Sequence, residues 1–430
     1  MRVSAASSAV FVLFTGLFAE VARAGVSVGD RGELTVSLGA GLGWRSNVYR
    51  SEIDPIGGLE LAVSPRAGLT FKDSDLDLEI EGGYQFRKYL LAGQSNLDRF
   101  DTFDVGAVVD GLPDGLIGLQ VKDRVALLNN PIDAFQSEDP YSSQLTNDLE
   151  AFIPIRPGAP GSALEIAVGG AFGFDEFRVA ADAAGDRSYN ARSAFGPQLK
   201  VDWAFFDRSS FVLEGGYEFT RWRENLVLAG DSAGELGAFV GVPDSTAYRI
   251  RAGLVGRLSR TLSAVIVLGY GDATFDEASV FESANNDGSA ETDPGAEGLA
   301  AELSGVDSLL VDTQLKLEYG VGQSLVGGYK RDFQSSFFTN FVAYDYAYAR
   351  ATNRLGSALG TGLEFGVRFE DFQGEVARKD IRLLARGNAT YFAREWLEVG
   401  ANVTWNQRAS DDVEVEFDDL MVQLGAKLVY

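Results

Sequence analysis

Charged side chains recur at every second position along several segments of this sequence. Because successive side chains of a β-strand point to opposite faces, a spacing of two places such a row on one face of a strand. Rows of fixed charge along an aqueous channel select what passes by its charge; the alternative is a lumen filled by mutual salt bridges, with no selective role. The candidates for lining a pore are the basic residues Arg87, Lys122, Arg124, Lys200, Arg249, Arg251, Arg257, Arg368, Arg382 and Arg386, and the acidic residues Asp75, Asp77, Glu79, Glu81, Glu214, Glu218, Asp312, Glu318 and Glu364.

The residue types that most enzyme chemistry needs are missing. The chain has no histidine and no cysteine, which excludes nucleophile–imidazole pairs and zinc sites built on these residues. Gly39, Gly41 and Gly43 alternate along a predicted strand with no helix after them, so they are not a dinucleotide-binding loop. Paired carboxylates can hydrolyse glycosides, but no pair stands out. We therefore expect a protein that is not an enzyme and holds no cofactor and no metal.

The N-terminus has the layout of a secretory signal peptide. Met1 and Arg2 precede an apolar run at 9–18, and Ala22 and Ala24 form an A-x-A cleavage site. The apolar run is shorter than the roughly 20 residues that a membrane helix needs, which disfavours the alternative of a signal anchor. We expect residues 1–24 to be a cleaved signal peptide and residues 25–430 to form a single domain.

The chain is strongly acidic. It has 37 Lys and Arg against 62 Asp and Glu. Loss of Arg2, Arg23 and Glu20 with the signal peptide leaves 35 against 61, a net charge of −26. Because nucleic acids are bound by basic surfaces, this charge excludes a nucleic acid as the expected partner.

Strict alternation of apolar and polar residues predicts the fold. At 33–44, for example, the even positions are apolar and the odd ones are polar or glycine. Most such segments are about 10–14 residues long, whereas strands of globular proteins average 5–6 and a tilted transmembrane strand needs 9–11. We predict an all-β, antiparallel up-and-down transmembrane barrel of about 18 strands, within a range of 16–18. The alternative is a large soluble sandwich or propeller.

The connections between these segments alternate between short and long. Bacterial barrels have short periplasmic turns and longer extracellular loops, so we expect both termini in the periplasm. The segment 272–307 is predicted as a long acidic extracellular loop, because no basic residue lies between Arg260 and Lys316. It is expected to be a mobile surface loop; the alternatives are a lid over the pore or a weak divalent-cation site.

Aromatic residues and prolines carry further expectations. Pro65 and Pro197 fall inside predicted strands, where we expect a β-bulge or the barrel rim, since proline removes a ladder donor.

Aromatics near segment ends fit the interfacial girdles of a barrel. The aromatics assigned to the girdles are Tyr84, Phe86, Tyr217, Phe219, Tyr270, Tyr329, Tyr391 and Phe392.

The chain ends as outer-membrane proteins do. Apolar residues at every second position from Leu420 to Leu428 lead to a terminal aromatic, Tyr430. This ending resembles the C-terminal strand signal that the barrel-assembly machinery reads. We expect that machinery and the outer-membrane lipid as partners, with the protein integral to a Gram-negative outer membrane.

Short glycine–aromatic motifs resemble those of the outer-membrane family known as β-barrel porin 2. They lie at 39–50, 82–86 and 327–336 and in the last two strands, 397–430. The resemblance implies an outer-membrane barrel of a kind often linked to exopolysaccharide or capsule production. The strand number is also similar to that of the alginate export porin, whose charged lumen conducts an anionic polymer.

Three functions follow as hypotheses. The first is export of a secreted polysaccharide, with that polymer as permeant and a separate periplasmic polysaccharide-export protein as partner. The second is passive diffusion or uptake of small solutes such as sugars, aromatic acids or fatty acids. The third is a plugged barrel that serves as a surface scaffold. A loop folded inward to narrow the pore would favour the second function, whereas a wide, polar, open path would favour the first.

Overall fold

A computed structural model describes most of the chain from residue 25 onward. The predicted signal peptide with its cleavage site, Ala22 and Ala24, and most of the predicted acidic loop lie outside the described residues. The described residues are 25–48, 50, 55–91, 97–99, 101–129, 143–158, 162–179, 187–223, 227–228, 239–240, 244–275, 280–281, 306–335, 341–373, 378–411 and 416–430.

The regular structure of these residues is β-strand throughout. None of the described segments forms a helix long and apolar enough to cross a bilayer. The strands are β1 (Val26–Val28), β2 (Gly32–Arg45), β3 (Gly58–Lys72), β4 (Leu76–Leu91), β5 (Leu97–Arg99), β6 (Thr102–Gly111), β7 (Leu119–Asn129), β8 (Ser143–Ile155), β9 (Leu164–Val179), β10 (Arg187–Phe206), β11 (Ser209–Arg223), β12 (Val227–Leu228), β13 (Phe239–Val240), β14 (Ser245–Arg257), β15 (Leu262–Phe275), β16 (Val280–Phe281), β17 (Val306–Gly320), β18 (Gln323–Ser335), β19 (Phe341–Leu355), β20 (Leu359–Gln373), β21 (Arg378–Arg394), β22 (Leu397–Ser410) and β23 (Phe417–Val429).

The 18 long strands close into one antiparallel barrel. Each pairs with the next long strand along the chain, and β2 closes the ring by pairing with both β3 and β23. Closure pairs the backbone groups of neighbouring strands along most of their length, as a sheet within a bilayer requires; the ladder between β17 and β18 stops at Val311↔Arg331, before the ends of these strands. The prediction of an all-β, up-and-down antiparallel barrel of 16–18 strands is confirmed.

The first described strands and the C-terminal residue meet at one end of the barrel. The backbone N–H and carbonyl of Tyr430 both hydrogen-bond to Val36, at 2.8 and 2.9 Å. Beyond this point β2 has no partner from β23, and β1 folds back to pair with it, from Val28↔Gly32 to Val26↔Leu34. The short β1 therefore covers an edge that the end of β23 leaves open.

Short and long connections alternate around the barrel, as the sequence predicts. We call the end with β1, the C-terminus and the short turns, such as 207–208 and 321–322, the turn end, and the opposite end the loop end. The acidic connection is shorter than predicted, because Ala273↔Val306 and Asp272↔Asp307 still pair within β15 and β17. Its bounds are therefore 276–305 rather than 272–307. At the loop end β12, β13 and β16 join two long connections in a small sheet.

The two prolines within strands are accommodated without a bulge. Pro65 lies inside β3 and Pro197 inside β10, both far from either rim. Pro65 stays paired with β2 and Pro197 with β9. The pairing with the strand on the other side, β4 or β11, is interrupted at the proline and resumes beyond it in the same register. The expected bulge or rim position is wrong, because opening the ladder locally suffices to accommodate a residue without an N–H.

The outer surface of the barrel is apolar and the inner surface is polar. Leu42 and Leu424 on neighbouring strands are 62% and 61% exposed, whereas Arg45 and Glu60, which point the other way, are 6% and 2% exposed. Exposed apolar side chains over a closed barrel are the surface that a lipid bilayer covers. Of the predicted girdle aromatics only Phe392 faces inward, beside Arg354, whose guanidinium carbon lies 5.6 Å from its ring centre.

Candidate functional site

Ion pairs that pass over intervening strands identify the inner face. Nη2 of Arg251 on β14 lies 2.6 Å from Oδ2 of Asp332 on β18, although β15 and β17 lie between them. Arg66 on β3 likewise reaches Asp104 on β6 across β4, at 2.8 Å. Only the concave side of a closed sheet brings such side chains together.

Residues that lie directly opposite each other on neighbouring strands share a face, so the strand registers show which predicted pore-lining residues lie on the inner face. One candidate departs from the prediction: Asp75 lies in the turn before β4, because that strand begins at Leu76. Arg257 and Glu318 lie at the turn end, where they form a mostly exposed ion pair of 3.8 Å. The candidates on the inner face are Asp77, Glu79, Glu81, Arg87, Lys122, Arg124, Lys200, Glu214, Glu218, Arg249, Arg251, Arg257, Asp312, Glu318, Glu364, Arg368, Arg382 and Arg386.

The inner wall formed by β18–β23 and β2 is rich in arginine. Glu370 lies between Arg368 and Arg382, with ion-pair distances of 2.8 Å to each. On the next strand pair, Asp380 accepts hydrogen bonds from Arg378 and Arg408. Each of these acids is shared by two guanidinium groups, so cations outnumber anions on this part of the wall.

The arginine-rich wall continues onto β2 through Asp419. Its carboxylate accepts two hydrogen bonds from Nε of Arg45, at 2.8 and 3.0 Å, and Arg50 approaches it to 3.9 Å. Burial, followed by the neighbouring charges of Arg45 and Arg382, lowers the pKa of the Arg50 guanidinium to about 9. Burial is the main cause of this shift, and the two neighbouring arginines add to it because like charges disfavour the protonated form.

Two buried guanidinium nitrogens lie on the same wall. Nη2 of Arg368 and Nε of Arg350 have no hydrogen-bond partner within the described residues. Arg350 and Arg386 share the carboxylate of Glu364, at 2.9 and 3.8 Å. Glu364, like Glu370 and Asp380, therefore serves two arginines at once.

Tyrosines interleave with these arginines along β19. Tyr344, Tyr346 and Tyr348 occupy successive inward positions, and the guanidinium carbon of Arg368 lies 4.1 Å from the ring centre of Tyr344. Tyr346 and Tyr348 stack, with ring centres 5.3 Å apart and an angle of 20° between the planes. Sequence reasoning missed these residues; the signal that could have identified them is the run of tyrosines at 344, 346 and 348, alternating with Asp345 and alanines.

The wall of β4 and β6 is acidic instead. Glu79 and Glu81 are exposed on its inner face, and neither forms an ion pair with any residue that the structure describes. Asp77 and Asp110 are directly paired neighbours closer to the turn end. Only β3 separates β4 from the arginine-rich wall, so the two rows of opposite sign lie side by side around the barrel.

The last residues of β18 and the first residues of β19, at the loop end, turn into the barrel. The ladder from β18 to β17 stops at Arg331↔Val311, while β18 and β19 stay paired to Ser335↔Phe341. Beyond the split, Ser335 accepts hydrogen bonds from Arg192 on β10, at 2.7 Å to Oγ and 3.0 Å to the carbonyl. Because β11, β14, β15 and β17 separate these two strands, the contact crosses the lumen. We call residues 332–335 and 341–343 the inward end.

Apolar and charged contacts hold the inward end in place. Phe333 and Phe341 pack in a buried cluster with Ala247, Ala273 and Leu310 from the inner faces of three other strands. Asp332 makes ion pairs with Arg251, Arg249 and Lys330. The inward end is therefore a packed part of the barrel that occupies lumen space.

The start of the connection from β2 to β3 also lies over the lumen. Val48 is fully buried against Tyr89 and Leu91, which belong to the inner face of β4. Arg50 lies with its guanidinium carbon 5.4 Å from the ring centre of Phe417 on β23. Together with the inward end, this segment narrows the loop end from a second side.

Within the described part of the chain, no group of three or more acidic, histidine or cysteine side chains is arranged to hold a metal ion. The predicted divalent-cation site in the acidic loop lies outside the described residues.

Comparisons with known proteins find similarity in architecture only. No family model and no curated protein matches the chain, so the resemblance to β-barrel porin 2 stays a prediction. Solved structures that are similar include the apoprotein of the FrpB iron transporter from Neisseria meningitidis, with 9% identity, coverage of 94% of this chain and 82% of the other, and a TM-score of 0.49. OccAB3 of Acinetobacter baumannii shows 10% identity, coverage of 94% and 100%, and a TM-score of 0.45. OccK7 of Pseudomonas aeruginosa shows 9% identity, coverage of 94% and 99%, and a TM-score of 0.45. At these values the likeness says nothing about what this chain carries.

Proposed function

We propose that this chain is an outer-membrane channel through which small, negatively charged solutes diffuse. A barrel of 16–18 strands leaves an aqueous channel unless its own segments fill it. The exposed apolar outer face supports a place in the outer membrane, where closed barrels of this kind reside. The turn end, with both termini, faces the periplasm in this proposal, and the loop end faces the outside.

The restriction to small solutes rests on the contact between Arg192 and Ser335. It brings the inward end across the lumen, so a permeant must pass beside packed protein. The preference for anions rests on the arginine-rich wall of β18–β23 and β2, because fixed positive charge raises the local concentration of anions.

Purified protein in planar bilayers tests this proposal. Under a gradient of potassium chloride we expect a reversal potential that reports preference for chloride, and we expect small organic anions to carry current. Neutral polymers as wide as a polysaccharide chain should stay excluded. A cation preference would overturn the charge argument, and absence of any conductance would favour the plugged surface scaffold.

Export of a polysaccharide is the second candidate. The stacked pair Tyr346 and Tyr348 favours it, because aromatic rings inside a channel offer surfaces to the apolar faces of sugar rings, and so does the resemblance to β-barrel porin 2. This role needs an export protein in the periplasm as partner. Loss of surface polysaccharide in a strain lacking the gene, restored by the gene in trans, would favour export over diffusion.

A further inference from the structure

We infer that Tyr346 and Tyr348, with Arg350 and Arg368 beside them, form a binding subsite for a carboxylate attached to a ring. The inference deepens the proposed function, on which it rests for access to the lumen. It concerns the middle of the barrel wall, away from the packed inward end.

The strand register places the four side chains in one patch. Tyr346 lies directly opposite Arg368, and Arg350 lies one inward position beyond Tyr348 and opposite Glu364. The Arg368 guanidinium lies over the ring of Tyr344, which precedes Tyr346 on the inner face, and Arg350 follows Tyr348. The two arginines therefore flank the stacked rings along β19.

Glycines on the neighbouring strands make room for the two rings. A Cβ at Gly366 would lie 2.8 Å from the hydroxyl of Tyr346, and a Cβ at Gly328 would lie 2.5 Å from Cζ of Tyr348. The Tyr348 hydroxyl also accepts a hydrogen bond of 2.8 Å from Nε2 of Gln314. The rings are therefore held in place before any ligand arrives, and both remain partly exposed.

In this patch the arginines are more exposed than the acids with which they pair. The side chains of Arg350 and Arg368 are 35% and 21% exposed, whereas those of their partners Glu364 and Glu370 are 6% and 1% exposed. The acids lie behind the arginines, so the surface that the lumen meets is positive. Guanidinium groups bind carboxylates strongly, and tyrosine rings bind flat ring surfaces.

Two sources share this chemistry, an aromatic acid and a sugar acid. Benzoate and glucuronate are the probes for them. Acetate supplies the charge without the ring, and benzyl alcohol and glucose supply a ring without the charge. We would titrate each into the purified full-length barrel in detergent and measure binding by calorimetry.

We expect a ring carboxylate to bind the wild-type protein more tightly than acetate, benzyl alcohol and glucose. Replacing both rings, Tyr346→Ala with Tyr348→Ala, should raise its Kd about five-fold, and Arg350→Gln should raise it by a similar factor. Phe152→Ala is the matched control, because Phe152 is another inward ring with a cation over it, the Lys200 ammonium 4.1 Å from the ring centre. Its Kd should equal that of the wild type, and heat-dependent gel mobility should show that all variants are folded.

Tighter binding of benzoate alone would assign the subsite to aromatic acids, and of glucuronate alone to sugar acids; each supports the inference. Equal affinity for acetate, an unchanged Kd in the double variant, or no binding of either ring carboxylate overturns it. Conductance in bilayers separates the two proposals. A conducting barrel with no dependence on the tyrosines refutes the subsite alone, and a non-conducting barrel that binds ring carboxylates through them refutes the channel alone.

Discussion

At the scale of single residues, the inner wall depends on buried acids that each hold several arginines. Asp380 is 1% exposed and accepts hydrogen bonds from Arg408 and Arg378, as well as one of 2.6 Å from the Ser410 hydroxyl. Removing one partner of a buried ion pair leaves an uncompensated charge, which costs more than the pair itself contributes.

Asp380→Asn should therefore lower the free energy of unfolding by about 3–5 kcal/mol. Unfolding in urea, followed by the loss of heat-resistant gel mobility, measures this. Asp73→Asn is the matched control, because Asp73 pairs with Arg31 in an exposed turn, and exposed pairs contribute little. Equal stability of the two variants would show that the buried arginines find other partners.

At the scale of elements, the split between β17 and β18 sets the shape of the lumen. Two forces hold the inward end: the apolar cluster around Phe333 and Phe341, and the ion pairs of Asp332. The ion pairs fix the position of the inward end, because they join β18 to β14 across two intervening strands.

Asp332→Ala should increase the single-channel conductance, because Arg249, Arg251 and Lys330 then repel one another without a common partner. Recordings in planar bilayers at fixed salt test this. Asp345→Ala is the control, since Asp345 lies on the paired strand but on the outer face, where it contacts Arg331. Unchanged conductance in Asp332→Ala would mean that the apolar cluster alone fixes the inward end.

The last strand supports a separate prediction about assembly. Tyr430 lies on the outer face and is 74% exposed, so its side chain contributes little to packing within the barrel, and its loss tests the assembly signal rather than stability. Tyr430→Ala should reduce the amount of folded barrel in the outer membrane. Tyr319→Ala, at an exposed ring near the turn end, serves as control. Equal amounts of both variants would refute the assembly signal.

At the scale of the whole molecule, the charge distribution inside the barrel sets its selectivity. The wall of β18–β23 and β2 concentrates arginines, whereas the wall of β4 and β6 exposes Glu79 and Glu81. Salt screens such fields, since the Debye length falls from about 30 Å at 0.01 M to about 3 Å at 1 M.

The preference for anions should therefore weaken steadily as salt rises from 0.01 M to 1 M. Reversal potentials measured at a constant concentration ratio test this. A preference that stays constant would mean that permeants are selected through close contact with individual arginines rather than by the summed field of the wall.

The sequence by itself determined the architecture. Alternation with a period of two follows from backbone geometry alone, so it reveals strands, their number and which side chains share a face. The pore candidates from Asp77 to Arg386 therefore reached the inner face, and short and long connections alternated as predicted. The lack of histidine and cysteine excluded chemistry that needs these residues, because no fold can supply a side chain that the sequence does not contain.

Only the tertiary structure decided which of these residues act together. Arg251 and Asp332 are 81 positions apart in the chain, and the closure of the sheet brings them together. Period-two alternation does not say which face turns inward. The tyrosines of β19 have alanines on the opposite face, so assigning the more apolar face to lipid did not identify them as inward residues. The inward end depends on packing between β18, β19 and the walls of β14 and β15, which no local pattern encodes.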